Sequence, residues 1–347
     1  MLNLSDVARS LGRLPGRAYL LLGSIVFAAA NSIARLLTEL GEANPIDGRN
    51  PISFCNVLFV GNLCALLILV LIYGRQWNLR SISQLSRKIW INLSIVAVLS
   101  GALAPALIFM ALEKTSVNNV ILVGRIEPPL ALALSVLFFK ERLNVWVVLG
   151  AIVSFIGVVL TVTLQPTTGD MLSMGNMLSI GRGELMVAVS AIALAISTVM
   201  TQANLDRVPL GLFTIVRTAI GTVIFFSIVT MLFGWYHFVD VFAPIVWQWM
   251  LIYGGIIIVG GQLCWFQGLK TTTASEVSLV SSFIPVAGIL AAYLILGEIP
   301  TVPQYIGGGV ILLGIALNQL GIQRQHQLQT LDRVQKDRDF EIGFKGI

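Results

Sequence analysis

The chain has 347 residues, 56% of them hydrophobic and only 11% charged, with a net charge of +5. An ordinary soluble domain carries about 25% charged residues, so water is not the main solvent for this chain. The basic excess has no interleaved aromatic residues of the kind that grip nucleic acid, and a nucleic-acid partner is not expected.

A bilayer core of about 30 Å needs about 20 apolar residues per helix. Ten such segments are predicted, over 18–37, 52–73, 91–112, 118–139, 144–164, 184–203, 210–233, 246–268, 276–297 and 303–321. The fold class expected is therefore all-α, a membrane protein of about ten transmembrane helices with the lipid bilayer as its partner.

At the N-terminus, Arg9, Arg13 and Arg17 precede an apolar run ending in Ala28, Ala29 and Ala30, a pattern shared with cleavable signal peptides. An internal echo argues for a retained helix instead. Gly16, Arg17, Leu20, Ala28, Ala30 and Ser32 return 165 residues later as Gly181, Arg182, Leu185, Ala193, Ala195 and Ser197, deep inside the chain.

A second echo has a spacing of 157. Leu112, Val120, Pro128, Glu141, Gly150 and Gly157 return as Leu269, Val277, Pro285, Glu298, Gly307 and Gly314. The difference between the spacings places about eight extra residues in the first half, most simply in the polar loop from Gly41 to Asn50. Residues 18–164 and 184–321 thus form two five-helix repeats, joined by a connecting loop over 165–183. A segment over 1–17 precedes them, and a polar tail over 322–347 follows, read as mobile or as an interfacial helix.

Lys and Arg accumulate in cytoplasmic loops. With the N-terminus inside, the inner set is Arg9, Arg13, Arg17, Arg75, Arg80, Arg87, Lys88, Lys140, Arg142, Arg207, Lys270, Arg324, Arg333, Lys336, Arg338 and Lys345, sixteen of the 22 basic residues. Both termini are then cytoplasmic and the connecting loop external. Trp90 and Trp146 at inner helix starts, with Trp235 and Trp247 around an outer loop, suit an interfacial belt. Five helices per half is an odd number, so the repeats are inverted. That arrangement suits secondary transporters, whose halves exchange inward-open and outward-open shapes around a site near the midplane.

The repeated pattern Leu112, Pro128, Phe139, Glu141, Gly150 and Gly157, matched by Leu269, Pro285, Leu296, Glu298, Gly307 and Gly314, resembles the paired EamA-type domains of the drug/metabolite transporter superfamily. The resemblance runs from about Gly16 to Leu320. It implies an inner-membrane carrier of a small-molecule substrate such as amino acids, related metabolites or drugs, acting in efflux. It also implies a cavity lined by the first, third, fourth, sixth, eighth and ninth helices. Family members often carry an arginine in the second helix of each half; Arg217 fits in the second half, and Val60 stands at the matching place in the first.

Charges are expensive inside a bilayer, so Arg125, Glu127 and Arg217 are functional candidates. An i, i+2 spacing sets Arg125 and Glu127 about 200° apart on an α-helix, on different faces. Glu127 reads as a proton-coupling carboxylate or a binder of a cationic group, Arg125 as a site for an anionic group, and either as part of a polar network between helices. Arg217 is a partner for Glu127 on charge alone and otherwise reads as structural.

Pro128, followed by Pro129, and Pro285 free backbone carbonyls near the midplane. Asn31, Gln262 and Trp265 offer hydrogen bonds and an aromatic face, or equally helix packing. Glu141 and Glu298 are expected to cap the helices that follow them, and Asn119 and Glu276 read as caps too. Gly150, Gly157, Gly307 and Gly314 read as points of close helix approach.

An enzyme finds little support. His237 and His326 belong to no metal or nucleophile constellation, and the run Gly268, Leu269, Lys270, Thr271 lacks the spacing of a phosphate loop. No metal and no cofactor are expected. Cys55, Cys64 and Cys264 all fall in apolar segments and suit buried small hydrophobes. Protons are one coupling ion consistent with Glu127, and a homodimer is left open. A lipid or large apolar substrate, or a sensor without transport, are the rival readings.

Overall fold

A computed structural model describes residues 15–73, 86–139, 145–164, 171–173, 179–202, 208, 210–272 and 274–344. Glu141 and the predicted inner basic residues Arg9, Arg13, Arg75, Arg80, Lys140, Arg142, Arg207 and Lys345 lie outside the described residues.

Among the described residues the chain forms ten helical rods. The first half has α1 (Gly16–Ala43), α2 (Phe54–Tyr73), α3 (Arg87–Leu112), α4 (Val117–Val123 continued by Glu127–Phe139) and α5 (Val145–Thr163). The second has α6 (Arg182–Gln202), α7 (Leu210–Phe233), α8 (Pro244–Ile252 continued to Thr271), α9 (Ala274–Leu296) and α10 (Val302–Phe344). Eight of the described helices are long and apolar enough to cross a membrane. Between the halves lies a small antiparallel hairpin, β1 (Met171–Ser173) with β2 (Ser179–Gly181), inside the segment expected to be a plain loop.

Packing follows the repeat. α1 packs against α8 and α9, while its counterpart α6 packs against α3 and α4. Similarly, α2 lies on its counterpart α7 and α5 on α10. Each half therefore packs its first helix against two helices of the other. We call the end where α1 finishes the distal end and the opposite end proximal.

Three rods depart from ideal α geometry, each for a local reason. In α3, Leu99–Leu103 forms a π-helical segment. Pro105 follows it and cannot donate to the carbonyl one turn back. In α8 the π segment is Tyr253–Gly260, where the run holds Gly254, Gly255 and Gly260, residues with little preference for a helix. Shifted by 157, Leu99–Leu103 falls within that same segment, so both third helices carry the irregularity. In α4, Gly124–Ile126 is a 3-10 turn. Pro128 has no N–H for the Gly124 carbonyl, which accepts from the Glu127 N–H instead.

The tightest crossing is α5 on α10. A Cβ on Gly157 would stand 2.7 Å from the Ile311 nitrogen and 2.8 Å from the Gly307 oxygen. One on Gly150 would stand 2.6 Å from the Gly314 oxygen, and one on Gly314 2.7 Å from the Gly150 oxygen. Gly150, Gly157, Gly307 and Gly314 let the two backbones touch.

Two boundaries differ from expectation. α1 runs 28 residues to Ala43, so part of the first half's extra length is helix. The rest is a compact turn. Asn50 donates to the Thr38 carbonyl and accepts from the Ile52 N–H, and Arg49 reaches Asp240 across the halves at 3.2 Å. The tail is also not separate, because α10 continues without a break for 43 residues, about 65 Å at 1.5 Å per residue. Arg324 on this extension lies 4.8 Å from the Trp146 ring centroid, a cation–π contact.

Candidate functional site

Where the two first helices enter the opposite halves, they leave a cavity of about 150 Å³. It is lined from the first half by Phe27, Asn31, Ile108, Arg125, Glu127 and Pro128 among others, and from the second by Val187, Ser190, Ile284 and Gly288 among others. Its charged groups come from α4 alone. The 3-10 turn explains why both face it: at three residues per turn, i and i+2 stand about 120° apart rather than about 160°, which corrects the expectation of separate faces. No ion pair joins Arg125 and Glu127 among the described residues. Glu127 accepts a hydrogen bond from the Thr198 hydroxyl at 3.2 Å. The Arg125 Nε is buried and has no hydrogen-bond partner.

A buried polar network lies on the distal side of this cavity. Glu184 accepts from the Thr115 hydroxyl at 2.5 Å and from the Asn119 amide at 2.9 Å. The Gln304 amide donates to the Asn119 side-chain oxygen at 2.6 Å and to the Ser116 hydroxyl at 3.0 Å. Glu184, Asn119 and Gln304 are 8%, 4% and 4% exposed. Arg35 on α1 adds a bond to the Thr115 carbonyl at 3.1 Å. Glu184 and Gln304 belong to the second half, and Thr115, Ser116 and Asn119 to the first. On α4, Asn119 stands about 9 Å along the axis from Arg125, and on α6 Glu184 precedes the cavity-lining Val187 by one turn.

Glu298 completes the contact between halves. Gly297, at φ 69°, ends α9 in the left-handed conformation that glycine adopts without strain. Glu298 then accepts from the Val117 N–H at 3.0 Å and the Asn118 N–H at 3.3 Å, at the start of α4. It caps a helix, but in the other half; its own following helix is served by Gln304, which accepts from the Thr301 N–H at 2.8 Å. Burial pushes the Glu298 carboxyl above the usual carboxylate range. The Asn118 N–H, Arg35 and the Val117 N–H oppose that shift without cancelling it.

Asn119 is likewise not the cap of α4. Ser116 takes that place, accepting from the Asn119 N–H at 3.2 Å, which frees the Asn119 side chain for the second half. The side chain of Glu276 lies outside the described residues.

None of the remaining candidates lines the cavity. Pro285 is buried inside α9, between the lining residues Ile284 and Gly288. Trp265 packs its ring edge-on to Phe27 at 6.1 Å, and α8 supplies no lining residue of its own. Gln262 has a buried side-chain oxygen with no hydrogen-bond partner. Arg217 lies on α7 away from the cavity and is no partner of Glu127; the α7 backbone there meets Gly101 in the α3 π segment.

The distal network was not singled out from the sequence. Its only signals are three polar residues at helix ends, Glu184, Asn119 and Gln304, which ordinary capping explains equally well.

Two inverted five-helix repeats around a charged cavity at their interface define a membrane transporter. The EamA-like transporter family model matches twice, over residues 14–163 and 181–320. An uncharacterized transporter of Synechocystis is 43% identical over 95% of each chain. One of Bacillus subtilis is 30% identical over 66% of this chain and 72% of its own length. A crystal structure of another protein, 17% identical, shares the fold with a TM-score of 0.54 over 87% of this chain and 98% of that one. The chain belongs to the EamA-like transporter family, within the drug/metabolite transporter superfamily.

Proposed function

We propose that the protein is a secondary active carrier of small organic metabolites, working by alternating access in the inner or plasma membrane and acting in efflux. The observation that carries this reading is the placement of the charged cavity between the halves, with the buried Glu184–Asn119–Gln304 network on its distal side. A carrier needs a site reached from one face at a time, and a breakable polar contact between rocking halves supplies the barrier. The distribution of basic residues supports a cytoplasmic proximal end, with both termini there.

The gradient is expected to be one of protons, exchanged at Glu127. The cavity's guanidinium and carboxylate support a polar metabolite over a lipid or large apolar substrate. The test is growth protection of a bacterial host against toxic amino-acid, nucleobase and cationic-drug analogues, with confirmed membrane expression. Protection against one class supports efflux, and increased sensitivity points to uptake. No change against any class contradicts the carrier reading in favour of lipid transport or sensing.

A further inference from the structure

Away from the cavity, a second guanidinium stands inside an apolar span without a partner. Arg217 on α7 is half-buried and lines no part of the cavity. Its Nε is buried and has no hydrogen-bond partner, and no ion pair to it is formed among the described residues. It lies six residues into the span Gly211–Met231, about 9 Å from the proximal end at 1.5 Å per residue. A charge at that depth is costly unless something outside the chain satisfies it.

A crossing of α3 and α7 fixes where Arg217 sits. A Cβ on Gly221 would stand 2.8 Å from backbone atoms of Gly101, and one on Gly101 would stand 3.1 Å from the Arg217 carbonyl oxygen. Arg217 is therefore one turn proximal of the point where the two backbones touch. From there the helices run side by side to the proximal face, since Leu93 and Phe213, each eight residues before its glycine, share one apolar cluster. Val96 and Leu212 belong to the same cluster, and Trp90 packs against it. Arg87 and Lys88, both exposed, begin α3 about 20 Å proximal of the crossing. Long side chains on a helix lean toward its N-terminus, and on α7 that direction is proximal. The Arg217 guanidinium is thus directed along the seam toward the proximal headgroups, with Arg87 and Lys88 at its rim.

Depth and charge together select the ligand. The side chains of the apolar cluster offer no acceptor, so the anion must come from the bilayer, where the lipid phosphates are the anions within reach of a long basic side chain. A phosphodiester matches the fork of guanidinium donors. The rim then discriminates between headgroups. A zwitterionic one brings its own ammonium against Arg87 and Lys88, whereas a net negative one is attracted by both.

We propose that the proximal seam between α3 and α7 binds one anionic phospholipid, its phosphate held by Arg217 and its headgroup attracted by Arg87 and Lys88. This inference does not rest on what the carrier moves or on how it is energised.

The experiment uses the full chain, purified in detergent, with bound lipid counted by native mass spectrometry. The probes are dioleoyl phosphatidylglycerol, dioleoyl phosphatidylcholine and glycerophosphoglycerol, the anionic headgroup without its chains. The first phosphatidylglycerol is expected to bind about tenfold or more tightly than phosphatidylcholine, the scale of one charge-assisted bond. Glycerophosphoglycerol is expected not to bind at the same concentrations.

Arg217→Gln is expected to remove the preference, and Arg217→Lys to retain part of it, because an ammonium keeps the charge but loses the fork. Arg87→Gln combined with Lys88→Gln, at exposed positions, is expected to weaken phosphatidylglycerol binding about fivefold or more. Equal affinity for the two lipids overturns the proposal, as does a preference unchanged in Arg217→Gln or, where that variant does not fold, in the rim pair. Binding of glycerophosphoglycerol as tight as that of the lipid overturns it in favour of a soluble anion.

Discussion

Gln304 on the last helix of the second half donates its amide to Asn119 of the first half at 2.6 Å, and Asn119 in turn donates to Glu184 of the second half at 2.9 Å. One side chain of the first half is thus held by two helices of the second, from which the carrier reading requires it to part. Removing either outer partner leaves buried polar groups unsatisfied, at about 1–3 kcal/mol each, and weakens the distal closure. Gln304→Ala and Glu184→Ala are expected to speed hydrogen exchange of the α4 amides from Val117 to Val123 by about tenfold or more, read by mass spectrometry. Unchanged exchange in folded protein contradicts a closing role.

The α5–α10 crossing tolerates no side chain at Gly157. A Cβ there meets backbone atoms of Ile311 and Gly307 at 2.7 and 2.8 Å, and backbone cannot move aside by changing rotamer. Gly157→Val is expected to cost about 1–3 kcal/mol or more by overpacking, seen as a fall in Tm in detergent. Gly309, with nothing within 4 Å of a built Cβ, is the contrast. Gly309→Ala is expected to leave Tm unchanged or raise it slightly, since alanine is favoured over glycine by about 1 kcal/mol in a helix.

Glu298 gives the fold a pH dependence of defined sign. Its carboxyl is raised by burial above the usual range despite two backbone donors and Arg35. A raised folded-state value means that the folded protein binds this proton more tightly than the unfolded chain does. The contribution to stability is then full below the ordinary carboxylate range and is lost as pH rises through the raised value. Relative to Glu298→Gln, the wild-type protein is expected to lose stability between mildly acidic and neutral pH. A wild-type stability that rises against the variant over that window contradicts the account.

Under the proposed carrier reading Glu127, which accepts from the Thr198 hydroxyl, is the coupling carboxylate. Glu127→Gln is expected to abolish accumulation driven by a pH gradient in proteoliposomes while leaving Tm within a few degrees of wild type. A pH dependence of transport unchanged from wild type would sink that role.

Much of this architecture was legible in the sequence. Helix length, the two spacings of 165 and 157, and the four glycines all express constraints local to a helix or repeated between halves, so periodicity reveals them. Arg125, Glu127, Pro128 and Asn31 were also legible as candidates, because charge, proline and amide groups are conspicuous in apolar runs, and all four line the cavity.

The rest depends on pairings that spacing does not encode. The 3-10 turn that turns Arg125 and Glu127 toward one cavity follows from what Pro128 withholds from Gly124, a backbone effect that an i, i+2 count on an ideal helix misses. Glu298 looks like a cap for its own helix and caps another 180 residues away in sequence. Arg217 offered opposite charge to Glu127, but its helix pairs with α2 and α3 rather than with α4.

The central claim is that the cavity is reached from one face at a time. We would place a single cysteine by Ile108→Cys, a partly buried cavity-lining position, in a chain with Cys55, Cys64 and Cys264 replaced by alanine. Reaction with a membrane-impermeant maleimide is then followed in vesicles of each orientation, with and without Gln304→Ala. The account predicts slow labelling from the distal face that quickens in the variant, while labelling from the proximal face slows in step. Rapid labelling from both faces at once would identify a continuous pore and contradict alternating access.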